Sequence, residues 1–179
     1  MGKRITVYCA SSDVLDIKYK EAARDFAREA SLLEYNVVCG GTTKGLMKII
    51  ADEMIAIGGN VSGVIPHFMC EKGLEHKGIK DIVYTQTLSQ RKENLRNGSD
   101  TVVVFPGGIG TLDEFFETMV LKWQGQFSGK LVLFNQEGYY DQLISLFNNF
   151  YKEKTINDDV LNSVIIVKDL DELFEQLVT

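Results

Sequence analysis

The chain is short of proline, cysteine and histidine, and each shortage excludes something. Its 179 residues hold two prolines, three cysteines and two histidines. Pro66 and Pro106 each close an apolar run, as suits a residue with no N–H to give a strand ladder. No linker, repeat or low-complexity tract interrupts the sequence, so residues 1–179 read as a single domain, long enough for one sizeable core. Cys9, Cys39 and Cys70 lack C-x-x-C spacing. They read as reduced, mostly buried thiols of a cytoplasmic protein, not as a disulfide frame or zinc site. Both histidines, His67 and His76, fall in an aperiodic stretch at 67–78 that reads as a mobile loop over the site. Cys70, Glu71 and Glu75 stand near them in irregular order, and no metal is expected. No apolar run approaches the length of a membrane span. Met1-Gly-Lys-Arg leads directly into a strand, without a signal-peptide pattern. Charge is not concentrated either. The net charge is −6 with no basic block, so neither nucleic acid nor anionic membrane is the expected partner. A small anionic ligand, which needs only a local positive site, is not excluded.

Glycine is what the chain does have, at the ends of apolar runs. Residues 101–114 read T-V-V-V-F-P-G-G-I-G-T-L-D-E. The run 102–105 has the length and branching of a buried parallel strand. Gly107, Gly108 and Gly110 let the backbone turn and let a ligand approach without meeting a Cβ. Thr111 is predicted to cap a helix over 111–124 whose first turn carries Asp113 and Glu114. Converging N–H groups and the helix dipole make this an anion site, with Gly107, Gly108, Ile109, Gly110, Thr111, Leu112 and Asp113 as the candidate cradle. The spacing is neither G-x-x-x-x-G-K-[ST] nor G-x-G-x-x-G, which disfavours a triphosphate loop and a dinucleotide fingerprint.

A second junction follows a strand at 36–39. Gly40, Gly41 and Gly45 punctuate it before a helix over 46–57. Ser11, after a first strand at 4–9, is placed to bind phosphate or ribose, or simply to turn the chain. Arg91 and Lys92 begin a helix over 88–96. Arginine's fork suits bidentate recognition of phosphate or carboxylate, although an Arg-Lys pair on a helix otherwise reads as solvated surface.

The remaining elements alternate. Helix 16–33 has an apolar face, strands follow at 61–65 and 80–85, and helix 111–124 turns Phe115, Phe116, Met119, Val120 and Trp123 inward by spacing. A strand at 131–134, an apolar-faced helix through Phe150, a charged loop at 152–159, a strand at 164–167 and a closing helix capped by Asp169 complete the chain. This is the α/β pattern of a doubly wound, mostly parallel sheet of about seven strands, Rossmann-like, with ligands expected at the carboxyl ends of the strands.

The motif P-G-G-x-G-T-x-x-E at 106–114, Arg91-Lys92, G-G-x-x-x-G-L-M at 40–47 and Gly-Tyr-Tyr at 138–140 together resemble the Lonely Guy phosphoribohydrolases, also labelled lysine decarboxylase-like. The resemblance implies hydrolysis of the N-glycosidic bond of a purine nucleoside 5′-monophosphate, possibly N6-modified, to free base and ribose 5-phosphate. It implies Arg91 and Glu114 as catalytic residues. Lys92, Ser11, Gly40 and Gly41 join the glycine cradle in binding substrate. No cofactor is implied, and a homodimer is. The chain departs from the family pattern at Gly73, Leu88, Val120 and Leu121. Two other readings stand beside it. A carrier or sensor of the same fold would keep the glycine turns without depending on Glu114. An amino-acid decarboxylase would need a Schiff-base lysine, for which no lysine here has the setting.

Overall fold

A computed structural model describes residues 3–178; Met1, Gly2 and Thr179 lie outside the described residues. Seven strands form one sheet: β1 (Arg4–Tyr8), β2 (Asn36–Cys39), β3 (Asn60–Pro66), β4 (Asp81–Thr85), β5 (Thr101–Val104), β6 (Lys130–Phe134) and β7 (Ile165–Val167). The helices are α1 (Ile17–Leu32), α2 (Gly45–Ala56), α3 (His67–Glu71), α4 (Leu88–Arg96), α5 (Ile109–Trp123), α6 (Asp141–Lys152), α7 (Asp158–Leu161) and α8 (Leu170–Val178). The order across the sheet is β4-β3-β2-β1-β5-β6-β7, and every pairing is parallel.

Side-chain alternation explains why helices cover both faces. Ile5, Val7, Val103 and Phe105 point to one face, where Phe26 of α1, Ile50 and Met54 of α2 and Leu173 of α8 meet them. Tyr8, Val102 and Val104 point to the other, against Leu95, Phe115, Met119 and Phe147. A sheet buried on both faces needs the continuous apolar runs that the central strands carry. β1 is the first strand and also the middle one. The chain winds from it toward β4, then returns to lay β5 on its other side. The carboxyl ends of β1 and β5 therefore lie together at the switch point, tied by Ala10 N–H to the Pro106 carbonyl at 3.2 Å.

The expected doubly wound α/β sheet of seven strands is observed, and every pairing among its strands is parallel. Several local expectations are corrected. Thr111 does not cap α5; the helix starts earlier, with Gly108 at the cap position. The 67–78 stretch is not a featureless loop: it contains α3 and an antiparallel bridge between Thr42 and Glu75. The 152–159 stretch gives way to α7, capped by Asn157. Phe115 and Met119 are buried as predicted, but Phe116, Val120 and Trp123 remain substantially exposed. Helical spacing marks an apolar stripe without saying how much of it the sheet can cover.

Candidate active site

The site starts from the turn between β5 and α5. Gly108 caps α5 without a side-chain hydrogen bond, and the first helical backbone bond runs from Leu112 N–H to the Gly108 carbonyl at 3.0 Å. The N–H groups of Ile109, Gly110 and Thr111 are left without helical acceptors, at the positive end of a four-turn helix. Gly108 and Gly110 face open space, whereas a Cβ on Gly107 would overlap the Thr111 hydroxyl. Thr111 is thus a buried prop beneath the turn. Two tyrosines brace the turn from behind: Tyr139 donates to the Gly107 carbonyl (3.0 Å) and Tyr140 to the Phe105 carbonyl (2.7 Å). These are residues whose role sequence reasoning missed. Gly-Tyr-Tyr was visible as a family-like motif, but nothing local says which carbonyls it reaches.

Opposite the turn stands α4, capped by Thr87, whose hydroxyl accepts from Gln90 N–H at 3.1 Å. Arg91 lies in its first turns. Its Nε donates to the Val64 carbonyl (3.2 Å) and its Nη1 to Glu114 Oε1 (2.6 Å). The two side chains are 11% and 10% exposed. Burial pushes the Glu114 carboxyl above its ordinary value, and the Arg91 guanidinium opposes that shift. Behind Glu114, Thr118 donates to its carbonyl (2.8 Å) and meets the Tyr8 hydroxyl at 3.0 Å, which ties α5 to β1. Lys92 donates to Asp113 (3.0 Å) and pairs with Glu117 (2.5 Å), and Arg96 pairs with Glu117 (2.6 Å).

The junction between β2 and α2 is filled by the protein itself. Asp13 Oδ1 accepts from Gly45 N–H (3.0 Å), and its other oxygen holds Lys44 (2.8 Å). Gly45 has φ +53°, and a Cβ there would collide with the Ala10 carbonyl. The space above Gly40 is taken by the Arg91 guanidinium. Gly40 therefore meets the cleft through Arg91, while Ser11 lines it from an exposed position and Gly41 lies beneath.

Together these elements enclose a cleft of about 550 Å³. Met47, Met69, Leu74 and Leu88 supply its apolar wall. The 67–78 segment is held to that wall by main-chain bonds, Thr43 N–H to the Leu74 carbonyl (2.8 Å) and His76 N–H to the Gly41 carbonyl (3.0 Å). The histidines serve separate places: His76 meets Asp52 at 2.9 Å, and His67 stacks on Tyr84. Among the described residues no three His, Cys, Asp or Glu side chains are grouped to hold a metal ion. Cys9 lines the cleft with its thiol pushed far up by burial, a neutral wall rather than a nucleophile. A larger hollow of about 870 Å³ lies between α5 and α6, lined by Phe116, Val120, Trp123, Phe150 and Tyr151. Its charged residues, Lys152, Lys154 and Asp158, are exposed, and among its lining residues there is no buried acid, base or nucleophile, whereas the smaller cleft holds the Arg91–Glu114 pair.

Fold and cleft define a doubly wound α/β protein that sets an uncapped helix start beside a buried guanidinium–carboxylate pair at the sheet's switch point. Comparison with known proteins narrows that class. The family model described as possible lysine decarboxylase matches residues 47–177. The cytokinin riboside 5′-monophosphate phosphoribohydrolase of Rhodococcoides fascians is 31% identical over 170 residues, covering 94% of this chain and 86% of that protein. The cytokinin riboside 5′-monophosphate phosphoribohydrolase LOG1 of Arabidopsis thaliana is 30% identical over 175 residues, 98% of this chain and 82% of that protein. The chain belongs to this family, the possible lysine decarboxylase or LOG family. Among solved structures, the molybdenum cofactor carrier protein of Chlamydomonas reinhardtii aligns with a TM-score of 0.75 at 16% identity, over 99% of this chain and 97% of that one. The molybdenum cofactor binding protein of Rippkaea orientalis aligns with a TM-score of 0.72 at 17% identity, over 100% and 99%. These two likenesses show the shared fold.

The family's older label does not suit the cleft. Lysine decarboxylation through pyridoxal phosphate needs a lysine able to lose its proton. Lys44 is tied to Asp13, and Lys92 is pushed up by its hydrogen bond to Glu117.

Proposed function

We propose that this protein hydrolyses the N-glycosidic bond of a purine nucleoside 5′-monophosphate, with cytokinin-type N6-modified nucleotides among its substrates, and releases free base and ribose 5-phosphate. The observation that carries the reading is the buried Arg91–Glu114 pair, 2.6 Å apart, facing the uncapped start of α5 across one cleft. The N–H groups of Ile109, Gly110 and Thr111 hold the 5′-phosphate, and Gly108 and Gly110 leave room for it. Ser11 and Lys92 border the same space from the β1–α1 loop and α4. With the phosphate fixed, the ribose C1′ is brought to Glu114.

Breaking the bond sends its electron pair to the base and leaves an oxocarbenium-like ribose, the kind of cation that a carboxylate stabilises. Glu114 is the buried carboxylate of the cleft, while Asp113 is 58% exposed at the rim. Arg91 favours the ionised form of Glu114 against the effect of burial and holds it on the ribose side. Water adds its hydroxyl to C1′ and its proton goes, through Glu114, to the departing base.

The cysteines, two of them buried, suit a reducing compartment, and we place the reaction in the cytoplasm. The exposed Phe116, Val120 and Trp123 on α5 and Tyr151 on α6 supply an apolar face for a second copy, giving a homodimer. Light scattering at micromolar concentration tests this: a monomer rejects it.

The deciding experiment is a product assay with AMP, N6-isopentenyl-AMP, GMP, CMP and adenosine. Release of base and ribose 5-phosphate from a purine monophosphate, but not from adenosine, is expected. Binding without release from any of them overturns the hydrolase in favour of a nucleotide carrier.

A further inference from the structure

We propose that Glu117 is a positioning residue for the reacting pair: it aligns α4 with α5 and so holds Arg91 against Glu114. The proposal rests on the hydrolase reading of the cleft and extends it to a residue outside the cleft lining.

Arg91, Lys92 and Arg96 of α4 face Asp113, Glu114 and Glu117 of α5. Within that face Glu117 is the shared partner. Its Oε2 takes Lys92 at 2.5 Å and its Oε1 takes Arg96 at 2.6 Å. These two cations are four residues apart on α4, so one carboxylate bridges a turn of α4, from a position one turn beyond Glu114 on α5. Lys92 and Arg96 are only 15% and 16% exposed, which separates this tier from an ordinary solvated salt bridge.

The reason α4 needs such a tier is its weak hydrophobic anchorage. Leu95 is the only apolar side chain of the helix that is buried. Its last turn is also held by the Thr6 hydroxyl, which donates to the Leu95 carbonyl at 2.5 Å, and by Arg4, which donates to the Asn94 carbonyl at 3.1 Å. The first turn, which carries Arg91, lies away from those anchors. Its position is set by the Thr87 cap, the Arg91 bond to Val64 and the ion pairs to α5. Removing Glu117 leaves Lys92 with exposed Asp113 alone and frees Arg96, so α4 can shift along α5. The Arg91–Glu114 contact is the one such a shift would lengthen.

The test is E117Q, which keeps the side-chain shape and removes the charge. Two readouts are taken: kcat and KM on a hydrolysed nucleoside 5′-monophosphate, and the substrate-free titration of Glu114 by carboxyl-carbon NMR. Glu114 is faced by Arg91 and Lys92 from α4, by Asp113 on its own helix, and by Tyr8 of β1 and Cys9 just after it. A displaced misalignment of this kind should lower kcat about tenfold or more while KM moves less than about threefold. The Glu114 titration should move upward as Arg91 retreats. R96Q, which removes one of Glu117's two partners, should give a smaller change in the same direction and serves if E117Q folds poorly. E53Q, which breaks the 2.7 Å Arg28–Glu53 pair between α1 and α2, is the control for loss of an ion pair elsewhere. Unchanged kcat together with an unmoved or lowered Glu114 titration in folded E117Q and R96Q would overturn the proposal. If the wild type hydrolyses none of the monophosphates, the hydrolase reading fails by itself, and the titration still decides the alignment.

Discussion

The two glycine junctions of this protein are alike in sequence and opposite in use. Each follows a buried parallel strand, turns on glycine and opens a long helix. At the start of α2, Asp13 arrives from the β1–α1 loop and occupies the helix end with a carboxylate of the protein's own. At the start of α5 no side chain does so. A helix start satisfied from within stabilises the fold, whereas one left open beside a cleft can take an anion from outside. The first junction still serves the second: its Gly40 makes the room through which Arg91 reaches Glu114.

Five substitutions break or sharpen that contrast. The largest effect is expected at the open junction from Glu114→Gln, which should cut turnover by roughly 10² to 10⁴ while calorimetry shows nucleotide affinity within a few-fold of wild type. Equal loss of binding would mean that Glu114 holds substrate rather than reacts. Next is Gly40→Ala. The new methyl would overlap Arg91 Nη2 and lie 2.5 Å from Met47 Sδ, so turnover should drop by on the order of 10² through displaced Arg91. Wild-type rates would show that Arg91 tolerates another route.

Gly45→Ala and Gly110→Ala form a matched pair read by thermal unfolding. The first puts a side chain at positive φ against the Ala10 carbonyl and should cost about 1–3 kcal/mol. The second enters open space within a helix and should change stability by no more than about 1 kcal/mol, while nucleotide affinity is expected to weaken because the methyl intrudes on the proposed phosphate site. The reverse ranking of stabilities would dissolve the distinction between filled and open junctions. The smallest effect belongs to Asp13→Asn. The Gly45 N–H, and then the Lys44 ammonium, hold the Asp13 carboxyl below its ordinary value. A group lowered in this way stabilises the fold above its unfolded-state pKa, and that contribution is lost as pH falls through the lower folded-state value. The variant should therefore melt below wild type at neutral pH, and the gap should close on strong acidification. A gap that persists in acid would assign the loss to packing rather than charge.

Much of the architecture was legible because it depends on short-range pattern. Val37-Val38 and Val102 to Val104 are apolar without alternation, which a sheet covered on both faces requires. Glycines at the strand ends marked the turns. Local pattern places the start of α5 too late because Thr111 is a good capping residue. The chain was already helical at Ile109, and a bare glycine cap leaves no side-chain signal. The outward turn of Phe116, Val120 and Trp123 was hidden for a different reason: periodicity reports a stripe, and the neighbours decide its width.

By itself, then, the sequence determined the alternation of strands and helices, the switch-point turn and the residue types able to hold phosphate and stabilise a cation. Tertiary structure alone decided which junction stays open. Asp13 reaches Gly45 across 32 residues, Arg91 reaches Glu114 across 23, and Tyr139 reaches Gly107 across 32. Periodicity and capping act over one or two turns of chain, so no local rule carries these pairings. They exist because the doubly wound sheet brings the carboxyl ends of β1, β2 and β5 to one edge, where burial strengthens the few charges left to meet there.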